Sequence, residues 1–119
     1  DWHTLKEAKE VDAENFENES MKRIGMIPEI VVRYKSPYFQ HIFSGGYSAG
    51  YYSYIWAEVL DADAYESFKE NGLFNRDLAN SFRKNILERG SIEDAMTMYV
   101  KFKGREPKID ALLKKRGLK

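Results

Sequence analysis

A chain of 119 residues, 43% apolar and 32% charged, has the makeup of a folded globular protein and enough length to bury a core. Nineteen basic residues balance nineteen acidic ones, so no broad field draws the chain to nucleic acid or to an anionic membrane. No run of about twenty apolar residues marks a membrane span, and the absence of cysteine rules out a disulfide framework or a thiolate metal site.

The chain opens Asp1-Trp2-His3, with neither an initiator methionine nor a signal-like apolar segment, the start expected of a piece cut from a longer chain. Lack of cysteine suits a reducing compartment, so a cytoplasmic location is expected, with the periplasm as the alternative. Residues 1–24 are polar, with Val11, Phe16, Met21 and Ile24 thinly spread; a helix is predicted over 11–24, ended by Gly25 as a left-handed cap. Residues 26–40 carry Pro28 and Pro37 around an Ile-Val-Val run, which predicts an extended connection with a short strand.

The next helix is predicted from Ser48 to Glu70, with Ile55, Val59 and Ala62 on one stripe and Trp56 and Phe68 widening it. Asn75 offers an N-cap to a helix carrying Leu78, Phe82 and Ile86, closed by Gly90. Ser91 is the expected cap of a helix carrying Ile92, Ala95, Met96, Tyr99 and Val100, ended by Gly104. Pro107 suits the first turn of a last helix holding Ile109, Leu112 and Leu113, closed by Gly117. The expected fold is therefore mainly α, about five helices with one irregular Gly/Tyr-rich entry, and neither an internal repeat nor a second domain is visible.

That entry, "HIFSGGYSAGYYSYIWAEVL" (41–60), is the unusual stretch. Gly45-Gly46 and Gly50 lack the lysine of a phosphate-binding loop, and they fit either a hinge beside a ligand or a plain tight turn. On a helix starting at Ser48, Tyr47, Tyr51 and Tyr54 would share one face. A tyrosine phenol is an uncharged proton donor at neutral pH, so such a face fits a developing oxyanion or a peptide carbonyl. On the residues alone an amphipathic helix–helix contact is the stronger reading, with the donor face left open beside it. His3 and His41 belong to no metal-ligand spacing, so this chain by itself is not expected to bind zinc. The carboxylates Glu58, Asp61 and Asp63 read as a solvated helix face, and the terminal "KKRGLK" complements a helix dipole without amounting to a nucleic-acid footprint.

The segments "YFQHIFSGGYSAGYYSYIWAEVLDADAYESFKENGLFN" and "FRKNILERGSIEDAMTMYVKFKGREPKIDALLKKRGL" resemble the C-terminal region of the thimet oligopeptidase and peptidyl-dipeptidase Dcp family of zinc metallopeptidases. The likeness runs from Ile27 onward; "DWHTL" also looks like a family segment, and "YSAGYYSY" looks closer to the Dcp branch. The resemblance implies a large α-helical enzyme acting on peptide substrates, with zinc on a His-Glu-x-x-His helix. It implies that Tyr54 donates to the oxyanion, that Tyr47 and His41 contact the substrate or intermediate, and that Tyr51 lies on the substrate side. Gly45, Gly46 and Gly50 would form a loop that adjusts to different peptides. No His-Glu-x-x-His occurs here, so the expectation is a C-terminal fragment, inactive alone and without zinc, whose bared apolar surface favours a dimer. The other expectation is a non-catalytic helical peptide-binding or scaffold module.

Overall fold

The computed structural model describes residues 1–8 and 10–119. Among these there is no strand, and five α-helices carry the fold: α1 (Ala13–Arg23), α2 (Ser53–Asn71), α3 (Arg76–Phe82), α4 (Ala95–Lys103) and α5 (Asp110–Lys115). The mainly α expectation holds. The chain divides into two compact units, Asp1–Tyr52 and Ser53–Lys119.

The first unit is tied together by a buried carboxylate. α1 starts where Asp12 Oδ1 accepts the amides of Glu14 and Asn15, at 3.0 and 3.1 Å, and it ends before Gly25 at φ 79°. Its inner face carries Glu17 and Ser20 rather than large apolar side chains. Glu17 Oε2 accepts the backbone amide of Ser36 at 2.7 Å and the Ser36 hydroxyl at 3.0 Å. Trp2 Nε1 donates to the same hydroxyl at 2.9 Å, and Lys35 Nζ lies 3.1 Å from Glu17 Oε1. Burial pushes the Glu17 carboxyl up, but the bonds from Ser36 and the Lys35 ammonium outweigh it and hold the group below its usual range. The Trp2 ring also packs on Phe16, with centroids 4.2 Å apart. One network thus fixes the 3₁₀ turn Trp2–Thr4, α1 and the 3₁₀ turn Ser36–Tyr38 to each other.

The short strand expected between the prolines is not there. Residues 26–35 are irregular, with one turn at 28–29, where the Ile30 amide bonds to the Ile27 carbonyl at 3.1 Å, and a bend at 33–34. A β-branched run needs a neighbouring strand for its ladder bonds, and none exists among the described residues.

In the second unit α2 is packed on two sides. Val59 and Ala62 meet Ala111 and Leu112 of α5. Ala64, with Leu60 and Phe68, meets Tyr99 and Phe102 of α4 and Leu78, Phe82 and Ile86. Phe82 stands edge-on to Phe102 at 5.1 Å, a favourable quadrupole geometry. The expected stripe is therefore only half right: Val59 and Ala62 are buried, whereas Ile55 is exposed.

Asn75 caps α3 as expected, accepting the amides of Asp77 and Leu78 at 3.0 Å each. The helix then widens into a π turn over Arg83–Leu87. Asn85 Nδ2 donates to the Ser81 carbonyl at 3.0 Å, competing for an acceptor the backbone ladder would use. The helical run ends at Leu87 with Glu88 as its cap, and Gly90 follows in the left-handed conformation at φ 55°.

α4 starts at Asp94 rather than Ser91, because Asp94 Oδ2 accepts both the amide and the hydroxyl of Thr97, at 2.8 and 3.0 Å. Ile92 is consequently outside the helix and exposed, and the buried face is Met98, Tyr99 and Phe102. Gly104 closes it in the left-handed conformation. The last helix begins at Asp110, so Pro107 precedes it and Ile109 stays exposed.

Asp63 contradicts the solvated-face reading. It is 2% exposed, and its carboxylate takes two bonds from Arg105, at 2.8 and 3.0 Å, and one from the Tyr99 hydroxyl at 2.7 Å. Lys103 Nζ adds bonds to the Asp63 carbonyl (2.8 Å) and to the Ser67 hydroxyl (2.6 Å). Glu58 and Asp61 behave as expected, exposed and ion-paired with Arg116 and Lys115.

Candidate functional site

His41 lies in a 3₁₀ turn, Gln40–Ile42. Beyond it Gly45 and Gly46 adopt φ of 88° and 84°, and Ser48 follows at 35°. Left-handed residues so close together reverse the chain, and the reversal returns Tyr47 to His41. The two rings are 5.6 Å apart, Tyr51 is also 5.6 Å from His41, and Tyr47 and Tyr51 are 6.0 Å from each other. Phe39 stands edge-on to Tyr51 at 4.7 Å. Three of the four polar aromatic candidates therefore form one cluster in the first unit.

They do so by a route the periodicity missed. α2 begins at Ser53, not Ser48, so Tyr47, Tyr51 and Tyr54 do not share a helical face. The Gly50 amide bonds back to the Tyr47 carbonyl, closing a tight turn that interrupts any helix through 47–50. A Cβ on Gly50 would come within 2.8 Å of that carbonyl oxygen, too close for either to stay in place. Gly50→Ala is expected to shift Tyr47 out of this cluster, read as changed ring NMR shifts of His41 and Tyr51. Unchanged shifts would show that Tyr47 keeps its place. At Gly45 and Gly46 an added Cβ meets nothing within 4 Å, so any penalty there is backbone strain alone.

Tyr54 sits on the first turn of α2, in the second unit, 51% exposed. In the first unit an open pocket of about 230 Å³ is lined by Trp2, His3, Ile42, Ser48, Tyr51 and Tyr52. Spacing does not single out His3. Its Nε2 donates to the Ile42 carbonyl at 2.5 Å, beside His41, and the only sequence signal for it is the "DWHTL" segment. The second unit has its own groove of about 390 Å³ between α2, the π turn and α4, lined by Trp56, Leu60, Phe82, Ile86 and Met98. Its single charged side chain is Asp61, whereas polar donors gather around His41, so the candidate site is placed in the first unit. Among the described residues no three His, Cys, Asp or Glu side chains converge on a metal position.

The sequence model of Peptidase family M3 matches residues 1–118. Oligopeptidase A of Escherichia coli is 56% identical over 81 residues, covering 68% of this chain and 12% of that protein. Oligopeptidase A of Salmonella typhimurium is 48% identical over 101 residues, 85% of this chain and 15% of that one. Dipeptidyl carboxypeptidase of Escherichia coli is 43% identical over 119 residues, 98% of this chain and 18% of its own length. A helical chain with these relatives is of the peptidase class. It belongs to Peptidase family M3, a family of zinc metallopeptidases. The chain spans less than a fifth of the length of the curated relatives it matches.

Proposed function

We propose that the chain is the C-terminal part of a zinc peptidyl-dipeptidase that releases dipeptides from peptide C-termini, and that it supplies donors to the substrate and to the oxyanion. The observation that carries this reading is the His41–Tyr47–Tyr51 cluster in a member of Peptidase family M3. A hydroxyl held beside a reacting carbonyl stabilises the negative charge that develops on its oxygen, without any proton being moved beforehand. Tyr54 takes that role, Tyr47 and His41 hold the substrate or intermediate, and Tyr51 with Gly45 and Gly46 shapes the substrate side. The nearly complete match to dipeptidyl carboxypeptidase favours dipeptide release, while the higher local identity to oligopeptidase A supports internal cleavage as the second reading. Product analysis on a blocked and a free-ended peptide separates them: a peptidyl-dipeptidase needs the free C-terminus. A cytoplasmic location belongs to the same reading.

The isolated chain is expected to hold no stoichiometric zinc and to hydrolyse nothing. Metal analysis that finds about one tight zinc per chain overturns this. The other class, a free-standing helical peptide-binding module, is supported if the coding sequence ahead of Asp1 carries no His-Glu-x-x-His.

A further inference from the structure

The first unit carries a run of aliphatic side chains that stand in solvent. Ile24, Ile27, Ile30 and Val31 are 75%, 57%, 56% and 78% exposed, four branched aliphatic side chains within eight residues. Beside them a groove of about 400 Å³ runs between Met21 and Lys22 of α1 and the segment Met26–Val32. The segment has no strand or helix of its own, so its placement rests on what packs against it. A solvated loop has no physical need for such a run, and apolar patches of this kind mark interaction surfaces.

We propose that residues 24–31 and this groove form an interface for the rest of the same peptidase polypeptide, whose matching face is apolar with an acidic rim. The proposal rests on the reading of the chain as one portion of a larger peptidase. Relatives matched over only 12–18% of their length carry ample chain to fill the groove, and a tethered segment is present at high effective concentration. Charge argues against a second copy as the occupant. Apart from cations paired within the unit, the patch is bordered by Lys22 and Arg33 against the single Glu29, so two copies docked patch to patch would bring a net excess of positive charge together. Lys35 and Arg23 are engaged by Glu17 and Asp1 within the unit, which leaves Lys22 and Arg33 to meet the acidic rim.

Amide hydrogen exchange at residues 29–32 tests this without any substitution. The wild-type whole peptidase should exchange these amides about 100-fold more slowly than the isolated chain. Val31→Lys should lower the unfolding midpoint of the whole peptidase by several degrees, and should make the isolated chain more soluble, because there it only removes a bare apolar side chain. Equal exchange rates in whole protein and isolated chain overturn the proposal while leaving the peptidase reading intact. A discrete dimer of the isolated chain that protects these amides as well as the whole protein does also overturns it, in favour of a second copy. A coding sequence that adds no polypeptide to this chain sinks both the proposal and the functional reading.

Discussion

In the whole peptidase, Tyr54→Phe is expected to lower kcat by about 10²–10³ with KM little changed. The substitution removes one hydroxyl and keeps the ring, so packing at the first turn of α2 is preserved. A donor that strengthens its bond only as charge develops on the carbonyl oxygen contributes to the transition state and not to ground-state binding. The position suits such a donor, because Tyr54 is half exposed at the start of a helix whose later turns are anchored on both sides. A change confined to KM would instead make Tyr54 a ground-state contact. Unchanged kinetics would remove it from the site.

The second large effect is on stability. Asp63→Ala is expected to cost about 3 kcal/mol, read as roughly 10²-fold faster amide exchange across α2 and α4. Three donated bonds converge on this carboxylate. Its removal leaves the buried Tyr99 hydroxyl without an acceptor and Arg105 without its partner. Arg105 keeps 38% of its side chain exposed and recovers some hydration, so the cost falls at the lower end of the range for a broken buried pair. Asp61→Ala, at an exposed pair, should leave exchange unchanged and serves as the control.

Protonation should reproduce the loss. Burial pushes the Asp63 carboxyl up, but the bonds from Arg105 and Tyr99 outweigh it and hold the group below its ordinary 3.8. A carboxylate with a depressed folded value stabilises fully above the unfolded value and loses that contribution as pH falls through the folded one. Exchange in α2 and α4 should therefore accelerate only below about pH 4, and not across the neutral range. Tyr99, pushed up chiefly by burial and then by its bond to Asp63, stays a neutral donor throughout.

What could be read in advance follows from the range of each interaction. Asn75 as a cap and Gly25 and Gly104 as left-handed ends were legible, because each satisfies backbone groups only a few residues away. Ser91 was a plausible cap displaced by a better one, since Asp94 reaches both the amide and the hydroxyl of Thr97. The start of α2 was misplaced because periodicity cannot register a positive φ at Ser48 or a bond from Gly50 to Tyr47. Asp63 looked like one more surface acid, since its partners Tyr99 and Arg105 lie 36 and 42 residues away.

The sequence by itself determined the helical class, most helix ends, and the set of residues worth testing, because propensity, capping and residue chemistry act locally. Tertiary structure alone decided that His41, Tyr47 and Tyr51 meet as a cluster around a reversed loop instead of standing along a helix. It also decided that a carboxylate on α2 is a buried anchor. Both depend on contacts closed across turns and between helices, and local pattern does not encode which distant partner will arrive.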